Sequence, residues 1–371
     1  MIITSVKADG FRNLKSVNFI PDEKYNIIVG KNAQGKTNLL EAMWIMTGCK
    51  SFRGSKEKDY IALDKNKMLC EICIKDSRRI QKISYELKKG TASVKSLSLN
   101  GVRIKGTSGL FDVFKCISFT PDDTEIIKGS PEKRRNFIDM AYSQLNPSSV
   151  PHITRHSVIM NQRNALLKGI FQGSSKAEEL TAWDRQASKE GAYISYMRHE
   201  YIKQLNEVCG RLYSRITGEN EILEISYRSN VFRESDFEKP FGNDAVQRYY
   251  AKMREMTDYD IKTGCTHTGA NRDDIIIKIN KCSAKDFGSQ GQIKSTALVI
   301  KLAQAEIYSH KSREAPAVFL DDVMGELDES RQRLVFDIIK NMQVFITTCN
   351  ESALLPEIKG RIIRIGNGEI I

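Results

Sequence analysis

The sequence predicts an α/β fold of mixed sheets and helices, interrupted by an inserted helical domain that resembles a short coiled coil. Three observations carry this. Short apolar strands alternate with a single helix over the first 120 residues. A middle stretch then spaces its apolar residues at three and four. Strand–helix alternation returns after Ile222. The expected boundaries are 1–130 for the N-terminal part of the main domain, 131–215 for the helical insertion and 216–371 for the C-terminal part.

In the first part, strands are expected at 2–6, 17–20, 25–29, 69–74, 80–87 and 94–99, with Asn100-Gly101 as the hairpin turn that follows the last of them. Pro131 suits the first turn of a helix. Segments 153–170 and 178–215 repeat apolar residues at helical spacing between charges, which predicts two or three long antiparallel helices. In the last part, strands are expected at 275–279, 317–320, 344–346 and 362–365, with helices at 293–309 and 327–340.

At 371 residues, 40% hydrophobic and 28% charged, the chain has the composition of a globular protein with a substantial core. Its apolar runs are far shorter than the ~20 residues that span a bilayer. The N-terminus lacks the charged-then-apolar pattern of a secretory signal. A cytoplasmic location without membrane attachment is the expectation. Eight scattered cysteines fit reduced thiols. Cys70 and Cys73 have the spacing of a metal half-site, but in a strand residues three apart face opposite sides. The net charge of +11 is localised: positions 50 to 105 hold 15 basic and 6 acidic residues. Such a zone is the footprint expected for a phosphate backbone, and a solvated lysine-rich hairpin is the plainer alternative.

The chemistry centres on Gly30-Lys31-Asn32-Ala33-Gln34-Gly35-Lys36-Thr37, a G-x-x-x-x-G-K-T loop between the strand at 25–29 and a helix opening at Asn38. Glycines let the backbone N–H groups face a phosphate chain, Lys36 reaches the β/γ-phosphates, and the Thr37 hydroxyl ligates Mg²⁺. A second apolar strand, 317–320, ends in Asp321-Asp322. Ends of parallel strands point into the ligand crevice, so Asp321 is the expected metal carboxylate and Asp322 the group that orients an attacking water. Gly288-Ser289-Gln290-Gly291-Gln292 is a small-residue loop at a helix start, a geometry that favours anions. In Gly325-Glu326-Leu327-Asp328, Asp328 reads either as a carboxylate near a subunit seam or as a helix N-cap.

Phosphate loop, signature loop, helix and acidic strand, in that order, form the layout of an ABC-type P-loop ATPase head. Together with Gly10-Phe11-Arg12-Asn13-Leu14, Pro121-Asp122-Asp123, Phe137-Ile138-Asp139 and Arg272-Asp273-Asp274, the pattern resembles the RecF family of bacterial recombination mediators, relatives of SMC-type ATPases, over nearly the whole chain. Thr124, Asn136, Ala270-Asn271, Ile293-Lys294 and Gly325 depart from the family pattern, and none of them is a phosphate or metal ligand. The resemblance implies a homodimer that closes over two ATP molecules and clamps double-stranded DNA, including single-strand junctions, in recombinational repair, replication-fork maintenance and the SOS response. Lys36 and Thr37 would act in cis, and Ser289, Gln290 and Gly291 in trans, with Arg12 as a further phosphate contact. Slow, DNA-stimulated hydrolysis at Asp321 and Asp322 would release the clamp. Implied cofactors are ATP and Mg²⁺; implied partners are RecR and RecO, with RecA indirectly. The alternative readings are a divergent ATPase of a defence or plasmid system and the ATPase subunit of a membrane transporter.

Overall fold

The computed structural model describes all residues except 91–93, 313, 351–353 and 357. The chain divides into two compact units, Met1–Asp123 with Ala297–Ile371, and Thr124–Thr296.

The first unit begins with β1 (Ile2–Phe11), β2 (Leu14–Phe19), β3 (Tyr25–Val29), α1 (Lys36–Trp44), β4 (Lys67–Lys75), β5 (Ile80–Lys88), β6 (Val94–Leu99), β7 (Val102–Arg103) and β8 (Cys116–Phe119). The second unit contributes α2 (Glu125–Lys128), α3 (Pro131–Leu145), α4 (Ser149–Phe171), α5 (Leu180–Thr217), β9 (Leu223–Arg228), α6 (Asn243–Glu255), α7 (Thr257–Thr263), β10 (Asp274–Ile279), β11 (Cys282–Ser283) and α8 (Ala284–Phe287). Helix α9 (Gln290–Lys311) carries the chain back into the first unit, which ends with β12 (Ala317–Asp321), α10 (Glu329–Ile339), β13 (Val344–Thr348), β14 (Arg361–Gly366) and β15 (Glu369–Ile370).

One twelve-stranded sheet, ordered β7-β6-β5-β4-β1-β2-β15-β14-β3-β13-β12-β8, organises the first unit. Its β14-β3-β13-β12-β8 half is parallel. Strands β8, β12 and β13 are buried along their whole length, as expected of strands covered on both faces. The other half runs antiparallel from β2 out to β7. There β4 and β5 alternate between buried and accessible residues, as in a sheet with one solvated face. Cys70 is buried and Cys73 half-buried, on opposite faces of β4. Asn100 and Gly101 both have positive φ (53° and 81°), the left-handed pair that a tight hairpin between β6 and β7 requires.

The parallel half fixes the site. Register pairs Thr348 of β13 with Val29 of β3, and Asp321 of β12 with Thr347 of β13, so three neighbouring strands deliver their C-terminal ends to one crevice.

In the second unit the 38-residue α5 lies against α4, α6 and β9, and β9, β10 and β11 form a small antiparallel sheet. Its interior combines apolar clusters such as Ile159, Met160, Tyr249 and Met253 with buried, hydrogen-bonded charged groups. Arg134 grips Asp274 through Nε (2.8 Å) and Nη2 (3.0 Å). Asp273 accepts from Ser195 (2.9 Å), the Asn230 amide (3.0 Å) and Tyr227. The Arg272-Asp273-Asp274 motif is thus committed to internal bonding, with Arg272 holding the Thr266 carbonyl.

Candidate nucleotide-binding site

The phosphate loop leaves β3 at Gly30 and enters α1 at Lys36. Its curl depends on glycine. A Cβ at Gly30 would stand 2.4 Å from the Ile365 carbonyl oxygen, and Gly35 adopts φ 113° with Leu14 and Asn13 about the position a Cβ would take (2.9 and 3.0 Å). Ala33 is also left-handed, at φ 63°. Turns on both sides brace the loop. Asn13 Nδ2 donates to the Ala33 carbonyl (3.1 Å), the Gly368 N–H donates to the Gln34 carbonyl (3.1 Å), and the Asn367 N–H donates to Gln34 Oε1. The Gly10–Leu14 segment noted in the sequence is therefore a buttress for this loop.

Lys36 is buried, and its Nζ donates to the carbonyls of Gly30 (2.6 Å) and Lys31 (3.1 Å) inside the loop. The Cys349 thiol, just beyond β13, lies 3.2 Å from Lys36 Nζ and donates to Asn32 Oδ1 (2.9 Å). The Thr37 hydroxyl donates to Asp321 Oδ1 at 2.9 Å, and Thr347 donates to the same oxygen at 2.8 Å. Burial pushes the Asp321 carboxyl above its ordinary pKa, against the lowering effect of the two hydroxyl donors, and Asp322 adds to the rise. The chain breaks out of β12 at Asp322, which is left-handed (φ 54°), exposed, and tied through its N–H to the Thr347 hydroxyl (3.0 Å). Aspartate tolerates this conformation better than most residues.

Arg12 is occupied within the unit. Its Nη2 donates to Glu41 Oε1 and to Ser55 Oγ, both at 2.7 Å, and its Nε stands 2.6 Å from Glu41 Oε2 at an angle poor for a hydrogen bond. Glu41 is fully buried on α1 and also accepts from Ser51 (2.5 Å). Beside this pair a cleft of about 430 Å³ opens between Arg12, Asn13, Ala33, Gln34, Leu63 and Asp64, and Leu63 stands fully exposed at its rim.

The signature residues Ser289, Gln290 and Gly291 belong to the second unit. Ser289 and Gln292 close a reciprocal capping box: the Ser289 N–H donates to Gln292 Oε1 (2.8 Å) and the Gln292 N–H to Ser289 Oγ (3.2 Å). Asp328 is the N-cap of α10, accepting from the Arg331 N–H at 3.0 Å, so the local reading of that residue accounts for its position.

Thr347, Cys349 and Glu41 carry no sequence motif. The only signal for the first two was their place at the end of an apolar strand, the rule already applied to Asp321.

The donor set fits the expected ligands. Two hydroxyls around a carboxylate whose ionised form burial disfavours are hard oxygen ligands that suit Mg²⁺. The glycine-dependent cradle, whose ammonium is bonded among the described residues only to loop carbonyls and a thiol, suits a triphosphate. Fold and site together define a P-loop ATPase head of the ABC and SMC type.

The comparisons sharpen this class. The RecF/RecN/SMC N terminal domain description matches residues 2–364. "DNA replication and repair protein RecF" of Desulforamulus reducens is 36% identical over 362 residues, covering 97% of this chain and 95% of the relative. The protein of the same name from Clostridium acetobutylicum is 32% identical over 372 residues, covering 100% and 99%. A solved structure described as the recombination mediator protein RecF-ATP in the RecFOR pathway superimposes with a TM-score of 0.91 at 29% identity, over 100% of this chain and 97% of the other. An SMC head bound to the winged-helix domain of ScpA shares the fold at TM-score 0.54 and 16% identity, over 100% of this chain and 97% of the other. The chain belongs to the RecF family of DNA replication and repair proteins.

Proposed function

We propose that this protein binds ATP with Mg²⁺, dimerises on it, and clamps double-stranded DNA during recombinational repair and replication-fork maintenance, releasing it on slow hydrolysis. The observation that carries the reading is the meeting of Thr37 and Asp321 at 2.9 Å beside the buried Lys36, which assembles metal and phosphate ligands in one crevice. The bound metal would supply charge neutralisation on the phosphates. Thr37 and Asp321 hold it, Lys36 takes the β/γ-phosphates, and the exposed Asp322 is placed to orient water. The cleft beside Arg12 and Leu63 suits the nucleoside. Arg12, already engaged by Glu41, acts there by shaping the wall.

Single copies leave the reading incomplete in a way that supports dimerisation. Ser289, Gln290 and Gly291 are exposed at the start of α9, and Phe287 beside them is 78% exposed. The basic zone also divides. Lys82, Lys88 and Lys65 pair with Glu71 (2.8 Å), Glu86 (3.3 Å) and Asp9 (2.6 Å). Lys58, Arg103 and Lys105 have no acidic partner among the described residues, and Arg103 and Lys105 line a concavity of about 470 Å³ at the β6–β7 edge with Lys95, which itself pairs with Glu57. That edge favours the DNA backbone over the sheet face. RecR and RecO are the proposed partners, a reading supported by the RecFOR pathway named for a similar solved structure, and assistance to RecA loading is the proposed outcome.

Sedimentation with ATP and Mg²⁺, with and without duplex DNA, tests the proposal. Wild type is expected to dimerise and Ser289→Arg to stay monomeric, with DNA retention falling steeply as salt rises. A wild type that remains monomeric at saturating nucleotide overturns it.

A further inference from the structure

Gln292 does not form its capping box alone. Its Nε2 donates to Glu221 Oε1 at 2.7 Å, and the other oxygen of that carboxylate accepts from the buried Tyr213 hydroxyl, also at 2.7 Å. Tyr213 lies in the last turns of α5, and Glu221 in the turn that follows it, just after the left-handed Gly218 and Glu219 (φ 60° and 66°). A carboxylate only accepts, so it can bind only the NH₂ end of the Gln292 amide. That choice leaves Gln292 Oε1 as the acceptor for the Ser289 N–H. The Gln292 amide, and with it the acceptor that the Ser289 N–H meets, is therefore oriented by Glu221.

Gln290 is oriented in the same manner. Lys128 Nζ only donates, and it stands 3.1 Å from Gln290 Oε1, which leaves the Gln290 NH₂ group available to an acceptor. Two charged groups of opposite sign thus fix two amides of one loop. The first of these links is part-buried and ties the loop to the end of the longest helix in the chain.

We propose that Glu221 is a positioning residue for the signature loop: by holding Gln292 against Tyr213 at the end of α5, it presents Ser289 and Gln290 to the nucleotide of a second copy. This rests on the dimer reading above and adds to it the residue that prepares the loop and the helix that reports to it. Glu221 itself touches no nucleotide.

The test uses the full chain. Gln292→Glu is the informative variant, because glutamate is at least as good as glutamine in a capping box. Were the loop held by its cap alone, that change would be harmless. Here it sets two carboxylates against each other, and the double variant Glu221→Gln/Gln292→Glu restores the pair. In sedimentation with ATP and Mg²⁺, Glu221→Ala and Gln292→Glu are each expected to weaken dimerisation about a hundredfold, since about tenfold per loop acts twice in a dimer. Glu221→Gln, whose amide can still accept from Gln292 and donate to Tyr213, and the double variant should lie within about threefold of wild type. Affinity of the dilute monomer for a fluorescent ATP should be unchanged in all four, since the phosphate loop lies in the other unit.

Wild-type dimerisation by Glu221→Ala, or failure of the double variant to restore Gln292→Glu, overturns the inference. Should wild type itself not dimerise, the clamp reading fails, and amide exchange at Ser289 decides the tether independently. Faster exchange in Gln292→Glu with recovery in the double variant supports it, and equal exchange throughout refutes it.

Discussion

The nucleotide site of the first unit and the buried polar network of the second are built from the same residue types and reach opposite outcomes. In the second unit Arg163 is fully buried and donates to Asp184 (2.7 Å), Asp260 (2.8 Å) and Thr266 (2.7 Å), while Asp260 also accepts from the His267 amide (2.9 Å). Arg198 likewise grips Asp139 through two bonds of 2.7 and 2.8 Å. These two arginines and their carboxylates answer one another's charge. In the first unit Lys36 has only loop carbonyls and a thiol, and Asp321 only hydroxyls. Among the described residues no counter-charge contacts either group directly. Charge matched by charge marks architecture, as does the interior carboxylate Asp273 held by three neutral donors; at the ends of the parallel strands, the neutral partners of Lys36 and Asp321 suit the triphosphate and metal proposed above.

The largest effect should come from breaking the architecture. Arg163→Ala leaves Asp184 and Asp260 buried without their main partner, and about 3–5 kcal/mol of stability should be lost in urea unfolding. A loss below about 1 kcal/mol would erase the distinction drawn between the two regions.

His156 offers a second measure. It is buried on α4, its Nε2 has no hydrogen-bond partner among the described residues, and burial with the nearby Arg198 charge lowers its pKa from 6.5 to about 4. The folded state therefore binds fewer protons than the unfolded chain between those values. Stability is fully present above pH 6.5 and declines by about 3 kcal/mol as pH falls through 4. His156→Phe should flatten that slope in unfolding curves measured across the window.

Lys36→Met probes the other side. ATP affinity should fall about a hundredfold, equivalent to about 2.7 kcal/mol, while the melting temperature without nucleotide barely moves. Titration with a fluorescent ATP separates the two.

A small effect on stability is also expected at Asp321→Asn, which keeps an acceptor for Thr37 and Thr347 but removes a buried charge. Because the folded carboxyl is raised above its ordinary value, the native state holds its proton more tightly, and wild-type stability falls as pH rises just above 3.8. The variant should lack that decline and be unchanged or about 1 kcal/mol more stable at neutral pH. Its Mg²⁺-dependent turnover should drop at least about tenfold. Marked destabilisation would place Asp321 with the architecture.

The legibility of the sequence followed the range of the interactions. The strand–loop–helix at 25–43 was readable because its signal is contiguous. The apolar run expected at 317–320 is β12, and 344–346 lies in β13, since buried parallel strands are uninterrupted in hydrophobicity. Edges were less visible. The first strand was expected to stop at Val6 and runs to Phe11, because Lys7 and Asp9 sit on the accessible face of a continuing alternation. The helix expected from 293 starts at Gln290, although Ser289 and Gln292 spelled its capping box. Basic residues between 50 and 105 could be counted but not sorted, because pairing with Glu71, Glu86 and Asp9 depends on strand register.

By itself the sequence determined the phosphate loop, the acidic strand end, the signature loop and the family they imply, since each is a short pattern whose chemistry depends on neighbours along the chain. The tertiary structure alone decided which charges are answered. It set Thr347 and Cys349 beside Asp321 and Lys36, turned Arg12 onto Glu41, closed Asp273 and Asp274 into the interior, and placed Glu221 against Gln292. The physical reason is that an ionic group's role depends on what lies within a few ångströms in space, and those neighbours come from strands and helices far apart in the chain.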